Sequence, residues 1–304
     1  MEYVLRTFSL VKTYKDVNVV DNVSMNIPRG QIYGFVGRNG AGKTTLMRLV
    51  CGLINKSGGS FTLFGKEDED RGIGRARRRV GAMVESPALF GEMTAAENLT
   101  EHCLALGVAD RSHIPSVLEY VGLEGVGKKK VRNFSLGMRQ RLGIALALVG
   151  SPDFLVLDEP VNGLDPQGIV EIRELLLRLN REKNITILIS SHILGELSRL
   201  ATCYGFIEKG RLLREITAEE LEKSCRKSVH LRLSGTENLP LVLERGMGIG
   251  DYKILSANEA EIYGDVNIGA LASALQAEGI ELLHVNEKDE DLEAYFLNLV
   301  GGGK

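Results

Sequence analysis

Within nine positions, Gly37-Arg38-Asn39-Gly40-Ala41-Gly42-Lys43-Thr44-Thr45, the chain sets three glycines, a lysine and two hydroxyls. Glycines let a backbone curl tightly and turn its N–H groups inward, which makes a cradle for an anion. Before the cradle runs an apolar, β-rich stretch, "QIYGFVG" (31–37), and after it "KTTLMRLVCGL" (43–53) has the apolar spacing of a helix. A helix N-terminus adds its own partial positive charge. Strand, glycine loop and helix in this order, with the pattern G-x-x-x-x-G-K-[ST] complete, predict a nucleotide phosphate site. Gly37, Asn39, Gly40, Gly42 and Thr45 belong to the cradle. Lys43 is expected to reach the β- and γ-phosphates of a nucleotide, and the Thr44 hydroxyl to ligate Mg²⁺.

A second pair of residues supplies what such a loop lacks. "DFLVLDEP" (153–160) reads as a buried strand that ends in two acids. A parallel strand would deliver Asp158 to the carboxyl edge of its sheet, where ligands of open α/β sheets bind. Asp158 is expected to hold Mg²⁺, directly or through water. Glu159 follows it and is placed to polarise an attacking water as general base. Two acids at a strand end can also be merely solvated; beside a phosphate loop the catalytic reading is preferred.

The elements around these residues imply the fold class. Apolar strands at 31–37, 153–158 and 185–192 alternate with helical stretches at 43–53, 95–150 and 171–184. That is the pattern of an α/β domain with a largely parallel core sheet. The pattern changes after "GRLLREI" (210–216). A helix opening at Thr217 is followed by β, α, β, β, α, β, the order of a ferredoxin-like unit, and then by a helix from 291 to 300. Two domains are therefore expected, 1–216 and 217–304. The second shows no catalytic constellation, and His230 and His284 are single histidines on expected strands. Regulation or added dimer contact is one reading of it, a stabilising appendage the other.

Bulk properties narrow the class further. The chain of 304 residues is 44% hydrophobic and 25% charged, an ordinary globular balance. Its formal net charge of −3 gives no global pull toward nucleic acid. The arginine run between Arg71 and Arg79 reads as a solvated face. Cys51, Cys103, Cys203 and Cys225 form no C-x-x-C pair and read as reduced thiols. The N-terminus lacks the basic and apolar regions of a signal peptide, and no run approaches the ~20 apolar residues of a membrane helix.

The order of further motifs carries a resemblance. "NFSLGMRQRLGIALAL" (133–148), "NGLDP" (162–166) and "ISSH" (189–192) follow the phosphate loop and straddle the acid pair as signature, D-loop and switch histidine do in the ATP-binding subunits of ABC transporters. The chain resembles that family over about residues 3–215. The resemblance implies an ABC ATPase domain with a mixed core sheet, an antiparallel β subdomain and a helical subdomain. It implies adenine stacking on Tyr14, a second anion site at Ser135 and Gly137, Asp165 at a subunit junction, and His192 as a donor to the γ-phosphate. It also implies two ATP-binding subunits packed head to tail, as homodimer or heterodimer, with each ATP between one phosphate loop and the other subunit's signature. The permease would be a separate polypeptide, and this chain would lie on the cytoplasmic face of the membrane through it.

Two positions depart from the family pattern. Leu136 and Met138 stand where a small residue and an amide are usual, while Ser135 and Gly137 remain. The larger departure is Glu85, in "VGAMVESPALF" (80–90), where the family usually carries glutamine. With that glutamate the chain is similar to the ATP-binding subunits of bacitracin- and lantibiotic-resistance exporters. Glutamine both donates and accepts, and ionised glutamate only accepts. Glu85 is therefore expected to gather with Asp158 and Glu159, to contact Mg²⁺ or its water shell, and to bind in the cofactor site. The implied function is an ATP-hydrolysing motor for export of a peptide antibiotic. Alternatives are export of another drug, a lipid or an ion, and, in another class, a non-transport ABC ATPase or a nucleotide-binding regulator without turnover.

Overall fold

The computed structural model describes residues 2–192, 194–225, 227–288 and 292–301. The chain divides into two compact units, Met1–Ala218 and Glu219–Lys304. Along the first unit run β1 (Tyr3–Tyr14), β2 (Val17–Val23), β3 (Asn26–Pro28), β4 (Ile32–Val36), α1 (Lys43–Cys51), β5 (Gly58–Leu63), β6 (Lys66–Glu67), α2 (Ile73–Arg77) and β7 (Val80–Met83). They are followed by α3 (Ala95–Leu106), α4 (Ile114–Tyr120), α5 (Leu136–Leu148), β8 (Phe154–Asp158), α6 (Pro166–Lys183), β9 (Thr186–Ser191), α7 (Leu194–Leu197), β10 (Cys203–Glu208) and β11 (Arg211–Thr217).

The core sheet has the order β11-β10-β4-β9-β8-β7. Every pairing in it is parallel except the hairpin of β10 with β11. All residues of β4, β8 and β9 are buried, as expected of strands covered on both faces. The polar residues of β8 and β9, apart from Thr186 at its start, are Asp158, Ser190 and Ser191. All three fall at the carboxyl ends, so the sheet delivers its chemistry to one edge. A second, antiparallel sheet runs β2-β1-β5-β6, with β3 also on β1. Its Val4, Leu10, Val20 and Phe61 share one hydrophobic cluster with Leu46, Met47 and Val50 of α1. The helix that follows the glycine loop is thereby clamped between the two sheets.

Helices α3, α4 and α5 form the helical part. Thr94 opens α3 with a capping box, accepting from the Glu97 amide while the Glu97 carboxylate accepts from the Thr94 amide. Helix α5 lies against β7 so closely that a Cβ on Gly143 would meet Met83 Sδ at 2.6 Å and Pro87 Cβ at 2.8 Å. The expected arginine face is divided. Arg79 pairs with Asp153 at 2.6 Å and lies over the Phe64 ring, and the Arg77 guanidinium packs under Gly52, while Arg71 and Arg75 are exposed. The pairing and the aromatic ring engage Arg79, and the packing under Gly52 engages Arg77, so these two do not belong to a freely solvated face.

The second unit contains α8 (Ala218–Ser224), β12 (Ser228–Leu233), a short helical turn (Leu241–Gly246), β13 (Tyr252–Ser256), β14 (Glu259–Tyr263), α9 (Ile268–Ala277), β15 (Leu282–Lys288) and α10 (Leu292–Gly301). The sheet order β13-β14-β12-β15, antiparallel throughout, is the ferredoxin-like arrangement. Val229, Leu231 and Leu233 alternate along β12 and pack with Val242, Leu271 and Leu275 of the helical elements. The first of those elements is a π-type turn where an α-helix is expected. Pro240 lies directly before it and cannot donate a backbone hydrogen bond. Asp291, where the last helix is expected to begin, and the 302–304 tail lie outside the described residues.

Candidate active site

The glycine loop, with Val19 and Glu159, lines a cavity of about 170 Å³. Gly42 caps α1 with φ +108°, and a Cβ there would stand 2.5 Å from the Val19 carbonyl oxygen. A Cβ on Gly37 would stand 2.5 Å from the Ile207 carbonyl oxygen. No side chain fits at either position, so the backbone itself forms the wall. Lys43 begins α1 and is only 5% exposed. Its ammonium donates to the Gly37 carbonyl at 2.6 Å and the Arg38 carbonyl at 3.3 Å, and stands 3.4 Å from Glu159 Oε1. A buried cation held on these carbonyls at the mouth of α1 is an electropositive site for phosphate.

The next residue reaches the sheet. Thr44 Oγ1 donates to Asp158 Oδ2 at 2.6 Å. The other carboxylate oxygen, Oδ1, accepts from Ser190 Oγ at 2.6 Å. Glu159 turns out of β8 with φ +50° and its amide donates to Ser190 Oγ at 2.9 Å. From that turn Glu159 Oε2 lies 2.7 Å from His192 Nδ1. Glu159 Oε1 is buried without a hydrogen bond. A hydroxyl touching a carboxylate, beside an acid oxygen that faces the Lys43 ammonium, is an oxygen donor set that fits Mg²⁺. Among the described residues no three His, Cys, Asp or Glu side chains gather into a metal cage.

Other expected residues lie apart from this cluster. Glu85 follows β7 with φ +66°, and its carboxylate, 60% exposed, accepts from Arg48 of α1. It does not gather with Asp158 and Glu159; a solvated partner of opposite charge lies nearby, and a third buried carboxylate would repel the other two. Tyr14 ends β1, 44% exposed, with the Lys12 ammonium 4.8 Å over its ring. Ser135 and Asp165 both act as helix caps. Ser135 Oγ accepts from the Met138 amide at 3.2 Å, and Asp165 Oδ1 from the Gly168 amide at 3.1 Å. With Gly137 they line a separate depression of about 420 Å³, where Arg141 and Glu171 pair at 2.7 Å. The glycine-loop cavity and this depression are distinct, so the phosphate loop and the signature of one chain do not face the same space.

Two residues at the site have no role that the sequence discloses. Ser190 is one of two serines in the same "ISSH" stretch as His192; its bond to Asp158 follows from the register that pairs the two residues. Arg48 reads as an ordinary helix-surface charge, four residues after Thr44.

Comparison with known proteins agrees with this geometry. Residues 20–162 match the ABC transporter family model. The chain is 41% identical to the bacitracin transport ATP-binding protein BcrA of Bacillus licheniformis, over 100% of this chain and 99% of that protein. It is 43% identical to the lantibiotic transport ATP-binding protein SrtF of Streptococcus pyogenes, over 69% of this chain and 90% of that protein. Among solved structures, cbiO1 of Clostridium perfringens, part of the ABC transporter complex cbiONQ, superposes with a TM-score of 0.66 at 29% identity, covering 73% of this chain and 92% of that one.

Proposed function

This chain belongs to the family of ABC transporter ATP-binding subunits, and from that premise we propose that it drives export of a peptide antibiotic of the bacitracin or lantibiotic kind. It is an ATP hydrolase of the ABC type. The observation that carries the substrate class is the 41% identity to a bacitracin transport protein over 100% of the chain, well beyond the residues 20–162 that the family model matches.

The glycine-loop N–H groups, the α1 N-terminus and Lys43 bind the β- and γ-phosphates of ATP. Thr44 and Asp158, already in contact, would hold Mg²⁺ when it is bound. Bound Mg²⁺ supplies charge neutralisation at the phosphate oxygens. Glu159 accepts a proton from the attacking water, and His192, 2.7 Å from it, orients the carboxylate and donates to the γ-phosphate. Tyr14 stacks on adenine. Glu85, paired with Arg48, would offer its carboxylate to the water shell of bound Mg²⁺ and so link the nucleotide to the loop before α3. Pro87 of that loop packs at Gly143 of α5, so a shift at Glu85 is felt at the helix that carries Ser135 and Gly137.

Ser135, Gly137 and Asp165 serve a second subunit. The separate 420 Å³ depression supports an arrangement in which each ATP is bound by one chain's phosphate loop and capped by the other's signature. Among the described residues no helix is long and apolar enough to cross a membrane. A separately encoded permease then holds the dimer at the cytoplasmic face.

Removal of this subunit from its host tests the substrate class. Sensitivity to bacitracin and to a lantibiotic should rise several-fold, with an unrelated small drug unaffected. Unchanged sensitivity to both peptides would remove the peptide-antibiotic reading and leave the ATPase reading intact.

A further inference from the structure

Asp158 and Ser190 are register partners at the carboxyl ends of β8 and β9. Ser190 is fully buried and Asp158 is 5% exposed. The Ser190 hydroxyl lies 2.6 Å from Asp158 Oδ1 and 2.9 Å from the Glu159 amide nitrogen. An ionised carboxylate only accepts, and an amide N–H only donates. The hydroxyl therefore has one arrangement: it donates to Asp158 and accepts from Glu159. Glu159 is the first residue past β8, and its φ of +50° is left-handed. An L-residue keeps such a conformation only where its surroundings over-determine it. Its amide points to Ser190, while its carboxylate reaches His192 at 2.7 Å and Lys43 at 3.4 Å. Two adjacent acids with different tasks are thus pinned by one oxygen, one through its side chain and the other through its backbone.

We propose that Ser190 is a positioning residue for hydrolysis, a hydroxyl clip that sets the Asp158 carboxylate and the Glu159 backbone in a single register. The proposal rests on the roles assigned above to Asp158 and Glu159. Without the hydroxyl, a buried amide and a buried carboxylate oxygen both lose a partner. Glu159 then relaxes out of its left-handed turn and its carboxylate leaves His192 and Lys43. Ser190 does not line the glycine-loop cavity, so ATP binding itself is spared.

Full-length Ser190→Ala and Ser190→Thr proteins test this, since threonine keeps the hydroxyl and suits a strand. Three readouts separate positioning from packing: hydrogen exchange at the Glu159 amide, Mn²⁺ uptake with a non-hydrolysable ATP analogue followed by electron paramagnetic resonance, and the split between kcat and KM. Ser190→Ala should speed exchange about 10-fold or more and raise the Mn²⁺ midpoint about 3-fold or more. It should lower kcat about 10- to 100-fold while KM for ATP changes less than about 2-fold. Ser190→Thr should restore exchange protection and kcat to within about 3-fold of the parent. Parent-like behaviour of Ser190→Ala would overturn the proposal. So would a well-folded Ser190→Thr as impaired as Ser190→Ala, or early melting of both variants, since either assigns Ser190 to packing. Glu159→Gln is measured in parallel. If it hydrolyses ATP at the parent rate, the role given to Glu159 fails, while the exchange and Mn²⁺ results still decide whether Ser190 clips the two acids.

Discussion

Arg48 donates to the Glu85 carboxylate from a position one helical turn beyond Thr44, whose hydroxyl donates to Asp158 at 2.6 Å. Residues four apart share a helix face. One face of α1 therefore addresses both Asp158 and the acid in the loop after β7. If Glu85 moves between Arg48 and the metal shell, the two partners compete. The side chains are 35% and 60% exposed, so their pairing is worth no more than about 1 kcal/mol. Arg48→Met should lower the Mg²⁺ concentration for half-maximal ATPase about two- to five-fold. The same substitution in a Glu85→Gln background should change nothing further. An equal shift in both backgrounds would show that Arg48 acts independently of Glu85.

Thr44 and Asp158 touch across 114 positions of sequence, so either can be tested through the other. Thr44→Val keeps the shape and removes the donor. Nucleotide binding with Mg²⁺ should weaken about 10-fold or more, because a buried carboxylate oxygen loses its hydrogen bond and the metal loses a ligand. Binding with EDTA present should change little, since Lys43 and the loop amides remain. Isothermal titration with and without Mg²⁺ measures both, and an equal loss in the two conditions would argue against a metal role for the hydroxyl.

The general-base role proposed for Glu159 separates turnover from nucleotide binding. Its carboxylate faces Lys43 and His192, and one of its oxygens has no hydrogen bond. Glu159→Gln is nearly isosteric and should bind ATP as the parent does. Hydrolysis should fall about 10²- to 10⁴-fold, the range of a lost general base. Light scattering should then show ATP-dependent dimers that persist. A variant that turns over normally would transfer the role to another group.

The sequence discloses the parts of this site that obey local rules. A glycine loop between strand and helix, and acids at the end of an apolar strand, are readable because backbone geometry and burial impose them at fixed spacing. The ferredoxin-like order of the second unit is legible for the same reason, as alternation and capping give each element in turn. What depends on register between distant strands is hidden. Ser190 meets Asp158 only because β8 and β9 pair in parallel at that offset. Glu85 shows the opposite limit. Its type suggested a third acid at the metal, but its partner Arg48 lies 37 positions away, one turn into the glycine-loop helix, and no spacing rule connects them.

Burial pushes the thiols of Cys51 and Cys203 up to about 12. At pH 8 both are neutral, with only about 10⁻⁴ of each as thiolate. Iodoacetamide at pH 8 should leave these two unmodified in the folded chain and alkylate them promptly in denaturant. Raising the pH toward 10 should speed the folded-state reaction as the thiolate fraction grows. Rapid alkylation at pH 8 would show that the start of β10 or the end of α1 opens readily in solution.

The separation of the glycine-loop cavity from the Ser135–Asp165 depression makes a mixing experiment decisive for assembly. Lys43→Ala disables the phosphate loop, and Ser135→Arg fills the depression with a bulky cation. Each protein alone should be inactive. In a homodimer whose subunits pack head to tail, a mixed dimer carries one site with both defects and one site with neither. Random pairing of equal amounts then restores up to about a quarter of the parent sites. Recovery requires that the two depressions act on each other's nucleotide, because a chain that completed its own site would keep its defect in every pairing. Absence of recovery, with mixed dimers demonstrated by tag pull-down, would exclude the head-to-tail homodimer.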